Sequence, residues 1–307
     1  MLPAESSEIR TRVKQALVRA RTPGFHFPGH FLDLQWGAVA PECSSLSLPD
    51  GPHLRNGDGD IDLLALCVMA DVSFGVAMRS ADATTDRLST VYLQLQFTGT
   101  PARGDLRAES RLHDISNDTS LQQRLASASL FSGAGLVCHG TSTFLKTPSN
   151  AALGRLPWQR EGESGGQQLD EQTASDAERE TLRRCDQQLA SAADNFLERF
   201  WLGPAWDAQK GFEISTGGHV GNRVGHVQGG LLLGIAARAG CAAAPAGTRL
   251  GNISAWYVSP GQGTLRTRSE VLHRGRNTAL VQSVILNDDG TSALTAVTQH
   301  LFLAAAT

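Results

Sequence analysis

Two long apolar segments dominate the pattern of hydrophobic and polar positions along the chain. Residues 61–78 are apolar almost all round, and residues 227–241 form a second segment of the same kind. A helix that is apolar on every side is normally buried, so the pattern predicts two buried helices. The first of them contains a carboxylate, Asp71, which is uncommon in the interior of a protein.

Alternation of apolar and polar residues follows each of these helices and predicts strands. In residues 88–97, Val91, Leu93, Leu95 and Phe97 alternate with polar side chains. Further strands are predicted at 104–113, 122–131 and 135–145, and at 251–258, 263–274, 278–287 and 293–303. Single strands are predicted before the two helices at 31–36 and 211–216, and outer helices at 5–20 and 176–200. Each half is therefore predicted to be a curved antiparallel sheet wrapped around one buried helix, an α+β fold.

The two halves share one pattern ahead of their buried helices: an Asn, a Gly three residues on, and a polar residue six residues on. The pattern is met by Asn56, Gly59 and Asp62 in the first half and by Asn222, Gly225 and Gln228 in the second. Nine residues past the polar position, the first copy has Asp71 and the second has Ala237. Only the second copy begins its helix with two glycines, Gly229 and Gly230. This complementarity within an internal duplication indicates one composite active site.

Length and composition agree with a duplicated protein. A chain of 307 residues is expected to hold about two domains, which we place at 1–146 and 176–307 with a linker over 147–175. The net charge of −3, without blocks of like charge, gives no reason to expect nucleic acid. Five scattered cysteines favour free thiols in a reducing cytoplasm, and no metal site is expected. We expect no signal peptide and no membrane span, which needs roughly 20 apolar residues.

The pattern from Asn222 to Gly240, with the strand meander from Ser259 to Gln299, resembles the hotdog-fold acyl-CoA thioesterases of the phenylacetyl-CoA type. The resemblance covers about 30–145 and 205–303, essentially both halves. It implies a tandem or double hotdog, in which two fused units do what two subunits do in a single-hotdog dimer. It also implies an acyl-CoA substrate, with coenzyme A as part of the substrate and no separate cofactor. Further association into a homo-oligomer is expected by analogy.

The resemblance assigns roles to particular residues. The catalytic carboxylate is Asp71, a hydroxyl follows eighteen residues later, and the other copy supplies the facing helix start. The remaining catalytic candidates are Ser89, Gln228, Gly229 and Gly230. The candidate substrate-binding residues are Asn222, His226, Arg274 and Arg276, the arginines for CoA phosphates. The family more often has His at the position of Gln228. The other interface places Asp62-Leu63-Leu64 opposite Ala237. It lacks a carboxylate at the position of Asp71 and glycines at the helix start, and it is expected to be inactive.

These residue types suit thioester hydrolysis. Burial should raise the pKa of Asp71, which favours a general base near neutral pH; direct attack to give a mixed anhydride is the alternative. The N–H groups of Gly229 and Gly230 would stabilise the oxyanion at a helix start. Two other functions remain open, a hotdog hydratase or dehydratase and a non-catalytic acyl-CoA binding protein. The hydratase would need an Asp–His pair, and no His lies within a few residues of Asp71. The acyl group, and a CoA or carrier-protein leaving group, also remain open.

Overall fold

A computed structural model describes residues 3–22, 26–40, 43–82, 87–113, 123–147, 156, 158, 166–191, 195–203, 211–222 and 225–303. Six helices are described: α1 (Pro3–Ala20), α2 (Phe27–Phe31), α3 (Leu63–Asp82), α4 (Asp176–Ala190), α5 (Phe196–Leu202) and α6 (Gly229–Ala243). The strands are β1 (Gln35–Val39), β2 (Cys43–Leu48), β3 (Arg87–Phe97), β4 (Leu106–His113), β5 (Gln123–Ser132), β6 (Gly135–Thr147), β7 (Glu213–Ser215), β8 (Thr248–Tyr257), β9 (Thr264–Arg274), β10 (Thr278–Leu286) and β11 (Ser292–Phe302).

One continuous antiparallel sheet runs through both halves of the protein. Its strand order is β1-β2-β4-β5-β6-β3-β8-β11-β10-β9-β7. The second half has the same strand order as the first, read in the opposite direction from the junction of β3 and β8. The halves join where β3 pairs with β8, with Gln94 opposite Ser254 at the centre of the shared register. Strand β1 is an addition at one edge. The predicted double hotdog is confirmed, with four strands after each central helix.

The two central helices, α3 and α6, pack against each other on the inner face of this sheet. They run in opposite directions, because the start of α6 lies beside Asp71 while Gly234, further along α6, lies beside Leu64. An 18-residue window of α3, Leu63–Ser80, is apolar enough to cross a membrane by length and composition, with a mean hydropathy of 1.6. No segment of this kind was expected from the sequence, and α3 meets the length and composition of one. That window is 78% buried, as in the core helix of a globular fold.

The remaining helices pack beside the central pair, with α2 in contact with α3 and Glu198 of α5 paired with Arg238 of α6. Helices α1 and α2 pack together, and α4 contacts both α1 and α5. Aromatic side chains join α2 to α5, with Phe31 in ring contact with Phe27, Phe196, Phe200 and Trp201. All five rings are at most 2% exposed. These helices therefore add a buried aromatic cluster to the core.

Two predicted elements differ from the structure. The predicted strand at 31–36 is replaced by α2 and a turn, with β1 starting only at Gln35. Helix α2 is capped by His26, and Asp33 adopts a left-handed backbone with φ of 62°, which a strand does not contain. The single helix predicted at 176–200 is two helices, because Asn195 has φ of 68° and caps α5 anew. The predicted linker, 147–175, lies largely outside the described residues; of those described, Trp158 contacts Trp36.

Candidate functional site

Asp71 lies on the side of α3 that faces the start of α6. Its side chain is 9% exposed, and burial raises the pKa of Asp71 to about 6. Three hydrogen bonds act in the opposite direction and lower that pKa. They come from the Thr90 hydroxyl, the Gly230 backbone N–H and the Gln228 side chain. Burial is the largest of these effects, so the carboxylate has a pKa close to neutral pH, as the apolar helix predicted.

Gln228 connects Asp71 to the first turn of α6. Its Nε2 donates to Asp71 Oδ2 at 2.7 Å, and its Oε1 accepts from the Leu231 N–H at 2.7 Å. The backbone N–H can only donate, so this second bond fixes which end of the amide faces the carboxylate. Gln228 is 4% exposed and is the N-cap residue of α6. The structure therefore places Gln228 beside Asp71, as the sequence predicted, and shows a donor in that position.

Gly229 and Gly230 allow the two helices to approach closely. A Cβ added at Gly230 would lie 2.4 Å from the Cys67 carbonyl oxygen and 2.6 Å from Val68 Cα. A Cβ at Gly229 would lie 3.1 Å from Asp71 Oδ2. Only glycine therefore fits at position 230 without displacing α3. The Gly230 N–H bonds Asp71, whereas no partner is found for the Gly229 N–H within the described residues.

The hydroxyl beside Asp71 belongs to Thr90, not to Ser89 as predicted. Thr90 Oγ1 donates to Asp71 Oδ1 at 3.0 Å. The reason is a β-bulge: the pairing of β3 with β6 shifts register between Thr90 and Tyr92, so Val91 is an extra residue. Alternation counted back from the buried Leu93 would turn Ser89 toward α3. The bulge reverses that phase and brings Thr90 to the carboxylate instead.

Asn222 and His226 form the turn that precedes α6. The Asn222 N–H donates to the His226 carbonyl oxygen at 2.5 Å, and the His226 N–H donates to Asn222 Oδ1 at 3.1 Å. The first copy repeats this turn, with Asn56 Oδ1 accepting from the Asp60 N–H at 3.1 Å. The repeated Asn therefore shapes the turn in both copies. Its presence before α3, where the facing helix has Ala237 in place of a carboxylate, shows that this role does not depend on Asp71.

Arg274 and Arg276 lie far from the carboxylate. The Arg274 guanidinium stacks on the Phe302 ring at 5.7 Å, and Phe302 pairs with Thr248 just beyond the end of α6. Helix α6 has 15 residues, and a rise of 1.5 Å per residue makes it about 20 Å long. The arginines are thus at the opposite end of α6 from Gly229. That they hold the phosphates of CoA stays a prediction.

The duplicate interface is closed by an ion-pair network. Asp62, which is fully buried, accepts from the Leu64 N–H at 2.8 Å and from Arg238 Nη2 at 2.9 Å. Arg238 also pairs with Glu198 on α5. Ala237, the counterpart of Asp71, is 0% exposed and carries no ionisable group. Gln228, before α6, contacts the Asp71 carboxylate, whereas Asp62, at the equivalent position before α3, contacts the Arg238 guanidinium. The two interfaces therefore differ, as expected.

One further group near the site was not found from the sequence. Tyr257, the last residue of β8, donates its hydroxyl to the Gly229 carbonyl oxygen at 2.8 Å. An aromatic residue at the end of an alternating strand is typical of core packing, so no sequence signal marked it. Among the described residues, no cluster of three or more His, Cys, Asp or Glu side chains could hold a metal ion.

Comparisons with known proteins agree with this architecture. Residues 220–301 match the family model described as acyl-CoA thioesterase N-terminal domain. No curated protein matches the chain in sequence. Similar solved structures include the tesB protein of Mycobacterium avium subs paratuberculosis, with TM-score 0.52 and 11% identity over 88% of this chain and 96% of that one. The 12:0-ACP thioesterase from Umbellularia californica has TM-score 0.52 and 10% identity, over 84% and 93%. A conserved protein from Alicyclobacillus acidocaldarius with hot dog fold has TM-score 0.51 and 9% identity, over 89% and 97%.

The chain is a double hotdog. At these identities the structural similarities establish the fold, and the family match extends over the second hotdog unit, which supplies Gln228, Gly229 and Gly230. The family match supports a thioester hydrolase. The phenylacetyl-CoA type stays a prediction.

Proposed function

We propose that the protein hydrolyses acyl thioesters at one composite site, formed by Asp71 of the first unit and the helix start of the second. The observation that carries the proposal is the position of Asp71, whose carboxylate accepts hydrogen bonds from Gln228 and Gly230 of the opposite copy. Neither unit alone contains both parts. An isolated buried carboxylate would destabilise the fold, and the three donors around Asp71 reduce that penalty while keeping the group ionisable.

In the proposed reaction Asp71 acts as a general base. A base is most effective when its pKa lies near the working pH, and the pKa of Asp71 is about 6. The carboxylate removes a proton from a water molecule that attacks the thioester carbonyl carbon. The C–S bond then breaks, the electron pair leaves with sulfur, and the proton is returned to the thiolate. Direct attack by Asp71 to form a mixed anhydride is the alternative with the same products.

The proposed oxyanion donor is the Gly229 N–H. The Gly230 N–H already bonds Asp71, and the Leu231 N–H bonds Gln228 Oε1. The first-turn N–H groups of a helix carry partial positive charge, which favours the negative oxygen of a tetrahedral intermediate. One such donor contributes roughly 10²–10³ in rate. The sequence predicted the N–H groups of both Gly229 and Gly230 as oxyanion donors, and the proposal keeps only that of Gly229.

The contacts of Asp71 also bear on the other candidate functions. In the described part of the chain its hydrogen-bond partners are Thr90, Gln228 and Gly230, and none is a histidine. A hydratase site of the kind considered above needs an Asp–His pair, so the geometry favours hydrolysis. A non-catalytic acyl-CoA binder remains an outcome of the experiment below.

The first test is release of free thiol from a panel of acyl-CoAs and acyl-carrier-protein thioesters. Asp71→Asn should lower kcat/KM about 10²–10⁴-fold, because it removes the base. Asn keeps the shape of the side chain, and Thr90 can rotate its hydroxyl to accept from the new amide, so the fold should survive. A folded Asp71→Asn variant with full activity would refute the proposal, and thioester binding without turnover in the wild type would favour the binder.

Two neighbouring hydroxyls provide a matched pair of variants. Thr90→Val removes the hydrogen bond to Asp71 and should lower kcat/KM about tenfold, the value of one bond to a charged group. Ser89→Ala removes the adjacent hydroxyl and should have little effect. The reverse order of the two variants would show that the bulge at Val91 does not orient β3 as described.

A further inference from the structure

Tyr257 contacts the same peptide group as Asp71. Its hydroxyl donates to the Gly229 carbonyl oxygen at 2.8 Å. The next atom of that peptide group is the Gly230 nitrogen, whose N–H bonds Asp71. A peptide group is planar and trans, so its C=O and N–H point in opposite directions. Tyr257 and Asp71 therefore hold the two ends of one rigid unit at the start of α6.

The duplication supplies a natural comparison for this tyrosine. Tyr257 pairs with Leu294 across the sheet, and in the first copy Phe97 pairs with Cys138 at the equivalent place. The next backbone bonds agree: Val258 N–H donates to Ala293 and Thr98 N–H donates to Val137. Both copies thus have an aromatic ring at this position. Only the copy whose helix start faces Asp71 has the hydroxyl.

We infer that Tyr257 is a positioning residue for Asp71 and acts through the Gly229–Gly230 peptide. A carbonyl that accepts a hydrogen bond makes the N–H of the same peptide a stronger donor. The Tyr257 hydroxyl both polarises the peptide and prevents it from rotating. The Gly230 N–H is thereby kept on the carboxylate. The kinetic part of this inference rests on the proposed hydrolysis, but the effect on Asp71 itself does not.

The groups around Asp71 determine the direction in which its pKa should change. The Gly230 N–H bond lowers the pKa of Asp71, so weakening it should raise that pKa further. Of the titratable groups in the described part of the chain, Tyr257 on β8 and Cys67 on α3 adjoin the site. Burial raises the pKa of both well above their usual values, so both stay neutral near pH 6. Helix α6 and strand β3 contribute the uncharged Gln228 and Thr90.

The experiment compares wild type with Tyr257→Phe, using carbon-13 NMR of aspartate-labelled protein. Asp71→Asn assigns the Asp71 carboxyl signal. In Tyr257→Phe the midpoint of Asp71 titration should rise by about 0.5–1 pH unit, a partial loss of one charged hydrogen bond. The acid limb of the kcat/KM profile should move by the same amount, with KM little changed. Phe97 shows that phenylalanine fits this position of the hotdog unit.

The control is Tyr92→Phe, because the chain has only two tyrosines. Tyr92 donates to Gln94 within β3, and its removal should leave the Asp71 titration unchanged. An unchanged Asp71 titration in Tyr257→Phe would overturn the inference whether or not any thioester is hydrolysed. A shifted titration in a protein that hydrolyses no thioester would leave the inference standing and refute the proposed function alone.

Discussion

Because α3 and α6 approach closely, we expect a Gly→Ala substitution to have opposite effects on stability at two glycines, Gly230 and Gly75. At Gly230 an added Cβ would lie 2.4 Å from the Cys67 carbonyl oxygen, about 1 Å closer than the 3.4 Å at which ordinary contacts begin. The obstacle is backbone, which cannot swing aside as a side chain can. Gly230→Ala must therefore push the helices apart by roughly that distance. Overpacking of this kind lowers the free energy of unfolding by about 1–3 kcal/mol.

Gly75 is the matched control, one turn beyond Asp71 on α3. Among the described residues, no atom lies within 4 Å of a Cβ built there. Gly75→Ala therefore meets no obstacle and removes the conformational entropy of glycine from a helix interior. It should raise the free energy of unfolding by about 0.5–1 kcal/mol. The two variants add the same methyl group to the same helix pair, and only the surroundings differ.

Denaturant unfolding followed by circular dichroism measures both variants, with thiol release measured in parallel. Gly230→Ala should also lose about 10²-fold in kcat/KM, since a 1 Å displacement separates Asp71 from the helix start. Gly75→Ala should remain active. If Gly230→Ala were as stable as Gly75→Ala, the helices could not approach as closely as the structure shows, and the composite site would lose its geometric basis.

Three further predictions concern charge. The kcat/KM should fall below about pH 6, because the base must be ionised and the pKa of Asp71 is about 6; a profile flat from pH 5 to 8 would contradict this. In the folded protein the pKa of Asp71 is raised from the usual 3.8 to about 6. Protonated Asp71 therefore contributes its full stabilisation below pH 3.8, and this contribution is lost as the pH rises through 6. At pH 8 the free energy of unfolding of Asp71→Asn should therefore exceed that of the wild type by up to about 3 kcal/mol, as measured by denaturant unfolding. Equal stability at pH 8 would argue against the raised pKa of Asp71. Arg238→Met leaves the fully buried Asp62 without its cation and should destabilise by about 3 kcal/mol. Adding Asp62→Asn should restore part of that loss, with Asp71-dependent activity retained.

The sequence predicted those parts of the protein that depend on local periodicity. The all-round apolar pattern located α3, and the repeated Asn–Gly spacing located the start of α6. The contrast between Asp71 and Ala237 predicted which of the two interfaces holds a buried carboxylate. These signals are strong because burial on all sides leaves few alternatives for a helix. The antiparallel strands after each helix followed from alternation.

What the sequence did not predict depends on single backbone irregularities and on contacts between distant segments. The bulge at Val91 changes the face of β3 and replaces Ser89 by Thr90, yet a bulge leaves little trace in a pattern of alternating residues. The left-handed Asn195 divides the predicted helix at 176–200. Tyr257 joins the site only because β8 ends where α6 begins, which is a property of the tertiary fold.

The junction between β3 and β8 has a consequence for how the site depends on concentration. In a dimer of single hotdog units, dilution separates the subunits and dismantles every site that they share. Here the two halves are covalently joined, so the helix start meets Asp71 in a unimolecular step governed by an effective concentration that dilution cannot change. Specific activity should therefore be constant down to the lowest enzyme concentration that can be assayed, even where any larger assembly has dissociated.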